Sequence, residues 1–167
     1  MAVRRILELG DETLRKVSAP AEDPAEAARI LKDLEDTLAD FRARRGFGRG
    51  ISAIQIGEPV RIIFLEVGGR RFELVNPAYV DKSGETFELW DDCFSFPDLM
   101  VRLRRHVRVT IEHLDSAGRR HRLEAEGALS ELIQHEMDHL DGILAVDHAR
   151  SSRDLMTRNE WLRQQSQ

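Results

Sequence analysis

Gln134-His135-Glu136-Met137-Asp138-His139-Leu140-Asp141-Gly142 is the stretch on which the reading of this chain turns. His139 follows His135 by four positions, and at 3.6 residues per turn both imidazoles fall on nearly the same helix face, where they can grip one ion. Glu136, next to the first histidine, can reach water on that ion, as a general base in metal-assisted hydrolysis must. The flanks fit a helix. Gly127 precedes apolar and ligand residues at helical spacing (Leu129, Leu132, Ile133, His135, Glu136, His139, Leu140), and Gly142 is a C-terminal stop.

Two histidines leave the ligand set short, because catalytic sites usually take three protein ligands and keep a position open for water. In a metzincin the third would be a histidine three places after Gly142; Ala145 stands there, and His148 comes three places late. A gluzincin would use a downstream glutamate, and Glu160 superficially matches, although it lies on a polar segment near the C-terminus. The other candidate is Cys93, whose thiolate is a strong ligand for zinc or ferrous iron. A lone cysteine also serves commonly as a small buried apolar residue.

Upstream, Asp23 is a cap, Pro24 suits a first turn, and Ile30, Leu31, Leu34, Leu38 and Phe41 recur at helical spacing until Gly46. Gly46-Phe47-Gly48-Arg49-Gly50 is a glycine-rich loop, which implies unusual backbone angles or close approach by a ligand. Ile62 to Val67, a Gly68-Gly69 turn and Phe72 to Val75 before Asn76-Pro77 form a hairpin pattern. Alternation then predicts strands over Glu85 to Trp90, Leu99 to Leu103, Val107 to His113 and Arg119 to Ala125, and the basic run of Arg102, Arg104 and Arg105 fits a solvated strand face. The polar segment from Asp154 to Gln165, with Leu155, Trp161 and Leu162, predicts a last surface helix. The order helix, many strands, helix implies an α+β fold with mostly antiparallel sheet. Residues 1–167 are expected to form a single domain, with 150–167 a C-terminal tail or helix.

The whole-chain properties agree. The 167 residues, 41% hydrophobic, suffice for one packed core. A net charge of -5 with 33% charged residues argues against direct nucleic-acid binding. No run approaches the roughly 18 apolar residues of a membrane span, and Met1 to Gly10 lacks a secretory core, so a cytoplasmic location is expected. One cysteine excludes an intramolecular disulfide and suits a reducing compartment.

Three segments together resemble the peptide deformylase family. Gln134 to Gly142 follows that family's Q-H-E-x-D-H-L-x-G throughout; Asp91-Asp92-Cys93-Phe94-Ser95-Phe96-Pro97 is similar to its E-G-C-L-S, apolar residue, proline; Gly48-Arg49-Gly50-Ile51-Ser52-Ala53-Ile54-Gln55-Ile56-Gly57 is similar to G-x-G-L-A-A-x-Q-x-G. Ile6-Leu7 to Leu14-Arg15 looks like the family's N-terminal strand and turn, so the resemblance spans about Val3 to Asp147. It implies a divalent ion held by Cys93, His135 and His139, with Fe2+ usual and Zn2+, Ni2+ or Co2+ able to replace it. It implies Glu136 as proton carrier, and the Gln55 amide and Phe94 N–H as donors to the developing oxyanion. Gly48 and Gly50 would lie along the bound peptide, and Leu132 and Glu131 would line its side-chain pocket. The implied substrate is an N-formyl-methionyl peptide, including nascent chains at the ribosome, and the product formate.

The chain departs from the family pattern at Arg49, Ser52, Asp91, Asp92 and Phe94. Together with the bulk of Leu132 and the acidity of Glu131, this points to a narrower or more polar pocket. Two rival readings follow: a divergent deformylase acting on another N-formyl substrate, and a catalytically silent paralogue that keeps the metal. Glu136 and Gln55 speak against silence, because neither is needed merely to hold an ion.

Overall fold

A computed structural model describes residues 2–167 and explains why Ile62-Ile63-Phe64-Leu65 is an unbroken apolar run. These residues open strand β2 (Ile62–Val67), which is covered on both faces. Ile62 and Phe64 pack with Ile30, Leu34, Leu38 and Phe41 of helix α1 (Pro24–Arg45). Ile63 and Leu65 pack with Leu132, Ile133, Met137 and Leu140 of helix α2 (Ala128–Leu140). A strand buried on both faces loses the alternation of a half-exposed one, which accounts for the run.

Strand β2 belongs to a five-stranded antiparallel sheet in the order β1-β2-β3-β6-β7, with β1 Gly50–Ser52, β3 Arg70–Lys82, β6 Arg108–Leu114 and β7 Arg120–Glu126. Strand β1 is therefore an edge. A second sheet, β4-β5-β8, comprises Thr86–Asp91, Leu99–His106 and Leu155–Thr157 and packs on Leu14, Cys93, Phe96, Leu144 and Ala145. The mixture of helix and antiparallel sheet is the expected one. Helix α1 begins and ends as its sequence dictates: the Asp23 carboxylate accepts from Ala25 N–H, Pro24 opens the first turn, and Gly46 closes it at φ 80°.

Four expectations need correction. Strand β3 does not stop at Val75 but runs on to Lys82; its register with β6 shifts between Val75 and Ala78, and Pro77, which has no N–H to give a ladder, falls in that irregularity. Asn76 there has φ 51°, and its side chain bonds both Ala21 N–H and Ala21 C=O. Ile6 and Leu7 join no sheet; Leu7 and Leu9 N–H instead donate to the carbonyls of Gln55 and Ser95, and a 3-10 turn follows over Glu12–Arg15. The last helix, α3, spans only Arg158–Gln165, because Leu155–Thr157 is taken up as β8 by pairing with β5. Finally, Arg105 is not solvated: its side chain is 4% exposed and lies between Asp91 and Asp138. Among the described residues no helix is long and apolar enough to cross a membrane.

Candidate metal centre

Helix α2 presents His135 and His139 one turn apart, with the two Nε2 atoms 3.2 Å from each other. Cys93 lies just past the end of β4, in a turn closed by Phe96 N–H donating to Cys93 C=O, and its Sγ is 3.3 Å from His139 Nε2. All three residues are buried, and their ligand atoms lie within 4.8 Å of one another. Two donors roughly 2.0–2.3 Å from one ion stand roughly 3.3–3.6 Å apart at the tetrahedral angle, so the spacings of His139 Nε2 to Cys93 Sγ and to His135 Nε2 fit a shared cation. One thiolate and two imidazoles suit zinc or ferrous iron.

The surrounding residues hold these donors. Asp91 Oδ2 lies 2.8 Å from His135 Nδ1. A carboxylate there keeps the proton on Nδ1 and leaves Nε2 bare for a metal. Asp91 is tied in turn to Arg105, which also bonds Asp138 at 2.6 Å, and Asp138 meets His148 Nε2 at 2.8 Å. Burial opposes charge on His135, but Asp91 and Cys93 outweigh it and carry the imidazole pKa well above its ordinary value. At His139 burial and the neighbouring His135 charge act together and hold the pKa well below. His139 Nδ1 has no hydrogen-bond partner among the described residues.

Glu136 points toward β1. Ser52 Oγ donates to its Oε2 at 2.6 Å, while burial pushes the carboxyl above the usual carboxylate range, against the pull of His135 and Ser52. A base poised closer to neutrality transfers protons more effectively. Gln55 sits in a 3-10 turn (Ala53–Ile56) that follows β1 directly. Its Oε1 accepts from Ser52 N–H at 3.0 Å, which aims Nε2 at Ser95 Oγ, 3.2 Å away, and toward Cys93 Sγ at 3.6 Å. The Phe94 ring stacks on Phe41 at 3.8 Å and leaves no room for a Cβ at Gly48, while the Phe94 N–H makes no backbone hydrogen bond among the described residues.

Arg49, Gly50, Gln55, Asp92, Phe94 and Leu132 line a small cavity together with Asp91, Cys93, His135 and Glu136. Arg49 Nη2 reaches Glu131 Oε1 at 2.5 Å. Glu131 is buried, and burial raises its pKa despite Arg49. Asp92 pairs with Arg158 of α3, whose guanidinium also lies 3.6 Å above the Phe47 ring.

The structure gathers Gly50, Gln55, Cys93, Phe94, Leu132, His135 and Glu136 round one cavity, with His139 against Cys93 and His135; Gly48 lies beside the Phe94 ring and Glu131 against Arg49, neither in the cavity lining. It removes Glu160 from the candidates, because that side chain sits on α3 paired with Arg163. Sequence reasoning missed the work of Asp91, Arg105 and Ser52. Arg105 had a signal: on a strand of period two it shares a face with Val101 and Leu103, both buried.

Comparison with known proteins agrees with this geometry. The family model described as Polypeptide deformylase matches residues 3–154. A peptide deformylase of Heliobacterium modesticaldum is 40% identical over 152 residues, 90% of this chain and 97% of that protein. One of Desulfitobacterium hafniense is 36% identical over 153 residues, 91% and 98%. Among solved structures, a peptide deformylase from Legionella pneumophila superposes with TM-score 0.83 at 32% identity over 99% of both chains. The Thermotoga maritima peptide deformylase gives 0.84 at 27% over 90% of this chain and all of that one. A donor set of one cysteine and two histidines, its supporting shell and matches over nine-tenths of the chain lead to one conclusion: this chain belongs to the polypeptide deformylase family.

Proposed function

We propose that this protein removes the formyl group from N-formyl-methionyl ends of newly made polypeptides and releases formate. The observation that carries the reading is the convergence of Cys93, His135 and His139 beside the Glu136 carboxylate and the Gln55 amide. The α2 helix is then the metal-binding helix of the fold, and Fe2+ is the proposed native ion, with Zn2+, Ni2+ or Co2+ able to stand in. A divalent cation held by these three residues supplies a Lewis acid and lowers the pKa of its water.

The residues of the chain do the rest. Glu136 accepts the water proton and returns it to the leaving amine, and its hydrogen bond from Ser52 fixes which oxygen remains available. As hydroxide adds to the formyl carbon, charge gathers on the carbonyl oxygen, where each donor is worth about 2.7–4 kcal/mol. The Gln55 amide and the Phe94 N–H are the donors. The peptide extends along the β1 edge past Gly48 and Gly50, where main-chain hydrogen bonds can form, and its first side chain faces Leu132 and the Glu131–Arg49 pair. One 167-residue domain in the cytoplasm, acting on nascent chains, suits this chemistry and the single reduced cysteine.

The test is formate release from formyl-Met-Ala-Ser by anaerobically purified, metal-analysed protein beside Glu136→Ala. Release by the wild type and its loss in a variant that still binds metal is expected. Metal bound without formate from either protein would favour the silent paralogue.

A further inference from the structure

One guanidinium joins two walls of the cleft. Arg158, the first residue of α3, lies beyond the family match, which covers residues 3–154, and its side chain is only 14% exposed. It pairs with Asp92, the neighbour of Cys93 in the cavity lining, and its Nε donates to the Pro97 carbonyl at 2.5 Å. Asp92 and Pro97 bracket the turn that carries Cys93 and Phe94. On its other side the guanidinium lies 3.6 Å above the Phe47 ring, which precedes Gly48 and meets Phe41 edge-on at 5.3 Å between centroids. Docking of α3 does not require these contacts. The Arg158 N–H already donates to the Asp98 carbonyl at 2.8 Å, and Leu155–Thr157 is already paired with β5. The ion pair also belongs to this chain rather than to the family pattern, which has glycine where Asp92 stands and so offers no carboxylate.

We propose that Arg158 is a positioning residue: by bonding the turn over residues 92–97 and covering Phe47, it sets the spacing between that turn and the edge at Gly48 and Gly50, and so favours formyl peptides that extend beyond their first residue. The inference rests on the deformylase reading. There the Phe94 N–H meets the formyl oxygen while Gly48 and Gly50 meet the main chain further along, so one peptide touches both walls at once. Walls held at a fixed spacing offer both sets of hydrogen bonds with little ordering left to do on binding. A cation laid between an aromatic face, a carboxylate and a carbonyl makes a stiff joint, because all three contacts restrict the same planar fork. A formylated amino-acid amide ends before the β1 edge and gains less from the joint.

Formate release is measured on formyl-Met-Ala-Ser and on formyl-methioninamide for wild type, Arg158→Met and Arg158→Lys, each metal-analysed. The ratio of kcat/KM for the tripeptide to that for the amide is expected to fall about tenfold in Arg158→Met, the equivalent of one or two main-chain hydrogen bonds. The fall is expected in a higher KM for the tripeptide, with kcat per bound metal within about twofold of wild type. Arg158→Lys keeps the charge but loses the planar fork, so a fall of about threefold or more is expected, and this variant decides if Arg158→Met does not fold. Calorimetric titration with the product peptide Met-Ala-Ser is expected to show Kd rising by the same factor as KM. A residue that served stability alone would lower the active fraction equally for both substrates and leave the ratio where it was. A ratio unchanged within about twofold in every variant that folds, or a fall carried wholly by kcat, overturns the role of Arg158 while leaving a working deformylase. Formate from neither substrate with metal-loaded wild type overturns the deformylase reading and this inference with it.

Discussion

Asp91 Oδ2 stands 2.8 Å from His135 Nδ1, and both groups are buried. The contact fixes the imidazole that must offer Nε2 to a metal, whereas His139 has no equivalent partner on its Nδ1 among the described residues. Asp91→Asn is therefore expected to weaken metal retention about 10- to 100-fold, read by competition with a chelator of known affinity. Retention equal to wild type would show that Asp91 does not orient the ligand.

Arg105 holds Asp91 and Asp138 together in the interior. Arg105→Met removes the charge and leaves the buried Asp91 carboxylate and the partly buried Asp138 carboxylate without the cation they share. The expected cost is about 3–5 kcal/mol in urea unfolding, because breaking a buried pair exposes its full desolvation penalty.

A methyl group at Gly50 would lie 2.6 Å from Leu65 Cδ2 and 3.2 Å from Glu136 Oε1. Gly50→Ala is expected to destabilise by about 1–3 kcal/mol and to lower kcat/KM by shifting Glu136. Gly48→Ala meets the Phe94 ring at 2.3 Å and also needs φ +129°. Adding Phe94→Leu to Gly48→Ala is expected to recover only part of the lost stability, since it relieves the clash and not the backbone strain.

Asp154 accepts from Arg102 Nε at 2.9 Å and from Arg150 N–H at 2.9 Å, and the bond from Arg102 is the main cause of a pKa below the ordinary carboxylate value. A depressed folded pKa contributes stability in full above the unfolded value near pH 4, and that stability is lost as pH falls through the folded one. The gap in thermal midpoint between wild type and Asp154→Asn is expected to be constant from neutrality down to about pH 5 and to close below it. A gap that widens on acidification would reverse the assignment.

Chelation should tell on stability as well as on turnover. The three donors come from two separate segments, α2 and the turn after β4, and a cation shared by them links the two. Stripping metal is expected to lower the thermal midpoint and re-addition of Fe2+ or Zn2+ to restore it, with the shift growing with the logarithm of metal concentration.

Much of this fold and site was legible because the deciding signals are local. Asp23, Pro24 and Gly46 bound α1 by capping chemistry, and Gly68-Gly69 turns β2 into β3, as their neighbours in sequence require. What escaped is set by distant partners. Leu155–Thr157 reads as part of a polar helix until β5 offers its edge, and β3 continues past Asn76-Pro77 because the Asn76 side chain is held by Ala21. A run of arginines suggests a wet surface, yet Arg105 is drawn inside by Asp91 and Asp138, which come from β4 and α2.

The two-sided covering of β2 ties the birth of the protein to its chemistry. Ile62 and Phe64 find their partners in α1, which leaves the ribosome first, but Ile63 and Leu65 wait for α2, far downstream. Until that helix is synthesised, one face of β2 stays sticky and wet, a state prone to self-association. The same helix carries His135, Glu136 and His139, so the segment that closes the interior also delivers the reactive groups. Truncation before residue 128 would thus yield an insoluble chain rather than a folded, inert one.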